Sequence, residues 1–159
     1  MLKSFRLFTW LLFILYLAVL IYVIVLKSGH AFIYARNNAE ISFIQKLITV
    51  NLILFKTIFN YLGGNESYAI AIQNILGNIF AFGPLGFLVP ILFKKCKKVK
   101  NIFFISVSVS LSIEIVQLLF NIGSCDIDDI ILNVLGAILG FGVYKVLNKM
   151  VKKDLGVTS

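Results

Sequence analysis

Charge is what this sequence has least of: only 14% of its 159 residues are Asp, Glu, Lys or Arg, while 60% are hydrophobic. With a mean hydropathy of +0.98, a soluble domain is excluded. Histidine occurs once, at His30, and cysteine twice, at Cys96 and Cys125. A single imidazole cannot complete a Cys/His zinc site, and it lies far from any serine-bearing turn that could form a Ser-His-Asp set. Two cysteines are too few for a disulfide framework. Acidic residues number 7 against 15 basic ones, a net charge of +8. No aromatic-basic interleaving accompanies that excess, so no nucleic-acid partner is expected. The sequence shows no internal repeat, no low-complexity tract and no room for a second domain.

What is there is apolar and long. Residues 7–26 form an unbroken apolar run behind Lys3 and Arg6. Its 20 residues match the roughly 20 that cross a bilayer core. The run is too long for a signal-peptide core and lacks a small-residue cleavage site, so it is expected to be a retained first span. Further spans are expected at about 69–93, 102–120 and 128–147. In the second, Pro84 cannot donate to the helix ladder, and a kink or break is expected there. The stretch 41–62 is apolar but interrupted by Gln45, Lys46, Asn51, Lys56 and Asn60. Its helical spacing of apolar residues fits an amphipathic segment lying in the outer interface. The lysines decide the topology: Lys94, Lys95, Lys97, Lys98 and Lys100 crowd one loop, and Lys145, Lys149, Lys152 and Lys153 end the fourth span. Four spans place these clusters and both termini in the cytoplasm, as the positive-inside rule requires. The fold expected is all-α: a polytopic membrane protein, one integral membrane domain over 1–159, with four transmembrane helices plus the external segment.

Polar residues inside those spans are the candidates for function, because an ionisable group in hydrocarbon costs roughly several kcal/mol. Residues 112–140 hold four of the seven acids: Glu114, Asp126, Asp128 and Asp129. At 1.5 Å per residue, Asn78 lies roughly 13 Å, Glu114 about 9 Å and Asn133 about 8 Å below the outer ends of their helices. Three helices thus carry a polar side chain in one layer. Asp129, Asn133, Gly136 and Gly140 share a stripe, whose glycines permit close helix approach. The expected site is an outward-opening polar pocket of Asn74, Asn78, Glu114, Gln117, Asp126, Asp129 and Asn133, with Gly136 and Gly140 packing. The alternative reading is structural: Asp126 as an N-cap with Asp129 as its N3 partner, and Asp128 as cap or surface charge. No complete metal signature is present, and no metal or cofactor is expected.

Three blocks resemble the VanZ-like family of small bacterial membrane proteins. VNLILFKTI at 50–58 is similar to the family's NLxPF block, with Leu54 in place of the usual proline. NILGNIFAFGPLGFLVP at 74–90 matches at Asn78, Phe82, Pro84, Gly86 and Phe87. IEIVQLLFNIGSCDIDDIILNVLGAILG at 113–140 matches at Glu114, Gln117, Asp126, Asp129, Asn133 and Gly136. The resemblance implies a bacterial cell-membrane protein associated with lowered susceptibility to teicoplanin. Two classes of function stay open. In the first, an outward polar site engages an amphiphilic glycopeptide or a lipid-linked wall precursor, amid membrane lipids, without chemistry. In the second, Glu114, Asp126 and Asp129 serve a carboxylate-dependent enzyme acting on a lipid-linked substrate. The first is favoured, because the sequence offers no nucleophile with a paired base.

Overall fold

The computed structural model describes residues 2–27, 50–53, 55–56, 59–60, 63, 68–120 and 125–154. Among them are four long helices: α1 (Leu2–Lys27), α2 (Tyr68–Leu92), α3 (Val99–Phe120) and α4 (Ile127–Asp154). Each is long and apolar enough to cross a membrane, as the hydropathy of the sequence predicts. The helices α1 and α4 extend beyond the spans expected from the sequence, 7–26 and 128–147. The exposed lysines that end α4 continue the helix beyond the apolar run, where they complement the negative end of its dipole.

The bundle is built around the α2–α4 pair, which has the most extensive packing. Small residues make this possible. A Cβ at Gly136 would overlap the carbonyl of Ile79, one at Gly140 the carbonyl of Gly83, and one at Gly86 the carbonyl of Ala137. The two backbones therefore touch directly, which is how helices associate where lipid supplies no hydrophobic drive. Phe82, Leu85 and Val89 of α2 meet Ala137, Phe141 and Tyr144 of α4 in the core, with Ile102 of α3 and Leu20 of α1 closing it. The buried face of α3 runs Ile102, Ser106, Ser110, Glu114, one residue per turn.

Pro84 does not break α2; the helix is continuous through both Pro84 and Pro90. The hydroxyl of Tyr16 on α1 donates to the carbonyl of Ala81 at 2.9 Å, one turn before the proline. A neighbouring helix thus supplies a donor where a proline loosens the ladder. This bond also fixes α1 on α2, its principal neighbour.

The expected amphipathic segment at 41–62 lies mostly outside the described residues. Its described part is not helical at 50–53. Asn51 instead forms an isolated parallel bridge with Asp126, its N–H donating to Cys125 O at 2.9 Å and its carbonyl accepting from Ile127 N at 3.1 Å. Backbone pairing with a distant segment has overridden the helical spacing. The exposed side chains of Leu52, Ile53, Phe55 and Phe59 present an apolar surface beside this bridge.

Candidate functional site

The site begins with the cap of α4. Asp126 precedes the first helical residue, and its Oδ1 accepts the N–H of Asp128 at 2.9 Å. That is the N-cap bond expected from the sequence. A capping box would return a carboxylate from the third helical position, Asp129, to the backbone N–H of Asp126. Here Glu114 of α3 reaches that N–H, with Oε2 at 3.0 Å. A carboxylate deep in one helix thus caps the next, which fixes the angle at which the chain turns back into the bundle.

The same acids bind the segment at residues 50–55. Asn51 Nδ2 donates to Asp126 Oδ1 at 3.1 Å, and Phe55 N donates to Asp128 Oδ1 at 2.6 Å. Asp128 is fully buried, so it is neither the surface charge nor merely the cap that the sequence suggests. Phe55 holds a φ of 63°, a left-handed conformation rare for a residue with a side chain. Cys125, next to this cluster, is half-buried. Its thiol pKa is pushed up, first by burial and then by the negative charge of Glu114 and Asp126.

One turn further into the bundle the partners change. Asn78 of α2 donates to Asp129 Oδ1 of α4 at 2.5 Å, and Asn133 of α4 donates to Ser110 Oγ of α3 at 2.9 Å. Asn78, Ser110, Glu114 and Asn133 are all buried. Such interhelical bonds satisfy polar groups that hydrocarbon could not. Against them lies a cavity of about 330 Å³, walled by side chains of all four helices.

Of the seven pocket residues expected from the sequence, Asn74, Asn78, Glu114, Gln117, Asp129 and Asn133 line this cavity, joined by Gln73. Asp126 does not; its carboxylate faces Asn51 and the N–H of Asp128. Gly136 and Gly140 lie on the α2 backbone. Asn51, Ser110 and Asp128 are the residues that sequence reasoning passed over as parts of this network. Asn51 sits in the NLxPF-like block and Ser110 on the polar stripe of α3, so both had a signal; Asp128 had only its place between two other acids. Among the described residues, the cavity offers amide and carboxylate groups and no Ser, Thr, Cys, Lys or Tyr as a nucleophile. Among the described residues, no three of His, Cys, Asp and Glu are gathered as a metal-ligand set.

Four apolar helices joined around buried, hydrogen-bonded acids define a multi-pass membrane protein with a polar site inside its bundle. The VanZ/LLP1 family model matches residues 13–148, and the chain belongs to that family. It is 30% identical over 135 residues to Protein VanZ of Enterococcus faecium, covering 85% of this chain and 72% of the relative. No solved structure gives a significant match.

Proposed function

We propose that this chain is a non-enzymatic binding protein of the bacterial cell envelope that lowers susceptibility to teicoplanin-type glycopeptides. The polar cavity is its working site. In this reading both termini and the lysine loop are cytoplasmic, which the clusters at Lys94–Lys100 and Lys145–Lys153 support. The cavity then lies near the outer face, where a membrane-partitioning antibiotic or a lipid-linked wall precursor is met.

The observation that carries the proposal is the cavity itself, where polar groups of three helices converge and where, among the described residues, no Ser, Thr, Cys, Lys or Tyr stands beside a base. At about 330 Å³ it is near the small end of ligand pockets, roughly 300–1,000 Å³, so a whole glycopeptide does not enter. A head group or one acylated arm does.

The test is expression of the chain in a sensitive Gram-positive host, with teicoplanin and vancomycin susceptibility measured beside membrane abundance. Teicoplanin susceptibility should fall and vancomycin susceptibility should hold. No change in either at full abundance would overturn the proposal. Turnover of a labelled lipid-linked precursor by the purified protein would replace it with the enzymatic reading.

A further inference from the structure

Charge is divided between the two ends of the bundle. The ring of Trp10 on α1 meets that of Phe93 at 5.6 Å between centroids, so the first turns of α1 stand beside the loop joining α2 to α3. α2 and α4 run parallel. The register that sets Gly136 on Ile79 and Gly140 on Gly83, continued, brings Val151 about level with Lys94. The last turns of α4 therefore lie at this same end. Gathered there are Lys3 and Arg6, the five lysines of the loop and the four that end α4, which is 11 of the chain's 15 basic residues. Asp154 is the one acid in these stretches. Glu114, Asp126, Asp128 and Asp129 are at the far end, where α3 gives way to α4. The stretches carrying Glu40 and Glu66 join the described helices at the far end too, and two acids are too few to cancel the excess.

The loop is a built turn. Cys96 N–H donates to Phe93 O at 2.9 Å, Asn101 N–H to Lys98 O at 3.0 Å, and the Asn101 side-chain amide to Lys95 O at 2.6 Å. Half-buried Cys96 packs on the core, while Lys94, Lys95, Lys97 and Lys98 around it are exposed. The end of α4 is amphipathic. Past buried Tyr144, Lys145, Lys149, Lys152 and Lys153 share one face, at i, i+4, i+7 and i+8. Val146, Leu147, Met150 and Val151 take the opposite side, and all eight side chains are exposed. The cations stand at the margin of apolar surface: Lys145 Nζ is 5.5 Å from the centre of the Phe141 ring, and Lys100 Nζ 5.9 Å from that of Phe104.

We propose that the loop at 94–100 and the last turns of α4 form a docking surface for anionic phospholipid in the leaflet this end faces. Lysines of the two elements hold the phosphodiesters, and the apolar side of α4 takes the first part of the acyl chains. A free phosphate or a soluble polyanion would satisfy the lysines alone. Only a lipid matches cations and apolar surface side by side, as basic amphipathic helices do at anionic membranes. This is independent of the cavity's role and of which membrane face is cytoplasmic.

Trp10 is the chain's single tryptophan and sits beside the loop, so its fluorescence reports the lipid there. The full chain is placed in phosphatidylcholine nanodiscs with a minor share of lipid brominated near its head group, either phosphatidylglycerol or phosphatidylcholine. Both leaflets are then alike, and orientation does not enter. A second version, Trp10→Phe with Leu147→Trp, moves the reporter to α4. At both reporters brominated phosphatidylglycerol should quench as if enriched about fivefold, the ratio that one lysine's attraction to an anionic surface supplies. Replacing the five loop lysines by glutamine should remove the preference at Trp10, and replacing the four of α4 should remove it at the α4 reporter. Raising salt from about 0.05 M to about 0.5 M should shrink both preferences, which keeps the test decisive where a glutamine variant fails to fold. Glycerol phosphate at matched ionic strength should leave them unchanged. Equal quenching by the two lipids, or a preference indifferent to salt or to the lysines, would overturn the proposal. A preference at one reporter only would overturn the joint surface. Loss of the preference to glycerol phosphate would make this a site for soluble phosphate and overturn the lipid.

Discussion

The backbone N–H of Phe55 is held by Asp128, a carboxylate 73 residues further along the chain, at 2.6 Å. Phe55 is left-handed and Asp128 is fully buried, so two costly features are joined in one bond. Burying the carboxylate is tolerable because a backbone donor meets it, and the left-handed turn is tolerable because the bond holds it. With the Asn51–Asp126 bridge, this bond fastens the segment after α1 to the head of α4.

Asp128→Ala should therefore destabilise the protein by about 1–3 kcal/mol, the range for losing a hydrogen bond to a carboxylate. Asp128→Asn should be milder, since its amide oxygen still accepts. At position 55 the backbone sets the order: Phe55→Gly should be more stable than Phe55→Ala by about 1 kcal/mol, because only glycine is at ease with positive φ. Thermal unfolding of the purified variants checks both. Equal melting of the glycine and alanine variants would remove the strain from this account.

Gly136→Leu and Gly140→Leu should sharply reduce the amount of folded protein in the membrane, because each added side chain would collide with the backbone of α2. Leu135→Ala is the control, since Leu135 is exposed on the other side of α4. Membrane yield by immunoblot decides. Equal yields for all three would mean that the close α2–α4 approach is not needed.

Asp126 and Asp129 should part company when their charge is removed. Asp126→Asn keeps the cap, since Asn caps about as well as Asp, and it lies off the cavity lining, so activity should persist. Asp129→Asn and Glu114→Gln should abolish activity at normal abundance, because both line the cavity. Glu114→Gln can still accept from the N–H of Asp126, so the turn should stay in place. The readout is teicoplanin susceptibility in the expressing host. Full activity in both cavity variants would make these carboxylates scaffold.

Cys125 should react with a membrane-impermeant thiol reagent in intact cells, and Cys96 only after lysis, if the lysine loop is cytoplasmic. Labelling of Cys96 in intact cells would invert the topology. The pH dependence adds a local check. The Cys125 thiol is raised above the ordinary range, so little thiolate exists near neutrality. Its labelling rate should keep climbing with pH past neutrality into the alkaline range, because the thiolate is the nucleophile. A plateau near neutral pH would contradict the burial and the acidic neighbours.

Four spans, their order and the stripe carrying Gly136 and Gly140 were legible in the sequence, because each is set by neighbours three to twenty residues apart. Hydropathy over about 20 residues decides whether a helix can lie in a bilayer, and helical spacing decides which residues share its face. The layer of Asn78, Glu114 and Asn133 was legible for the same reason, from depth at 1.5 Å per residue. The tertiary structure alone decided how those residues divide. Asn51 meets Asp126 across 75 positions, Phe55 meets Asp128 across 73, and Asn78 meets Asp129 across 51. No periodicity reports such pairings, and at 50–53 local spacing pointed the other way. Three acids within four residues look alike in the sequence. Burial and the partners brought to them from elsewhere in the chain make Asp126 a cap, Asp128 a clasp and Asp129 a wall of the cavity.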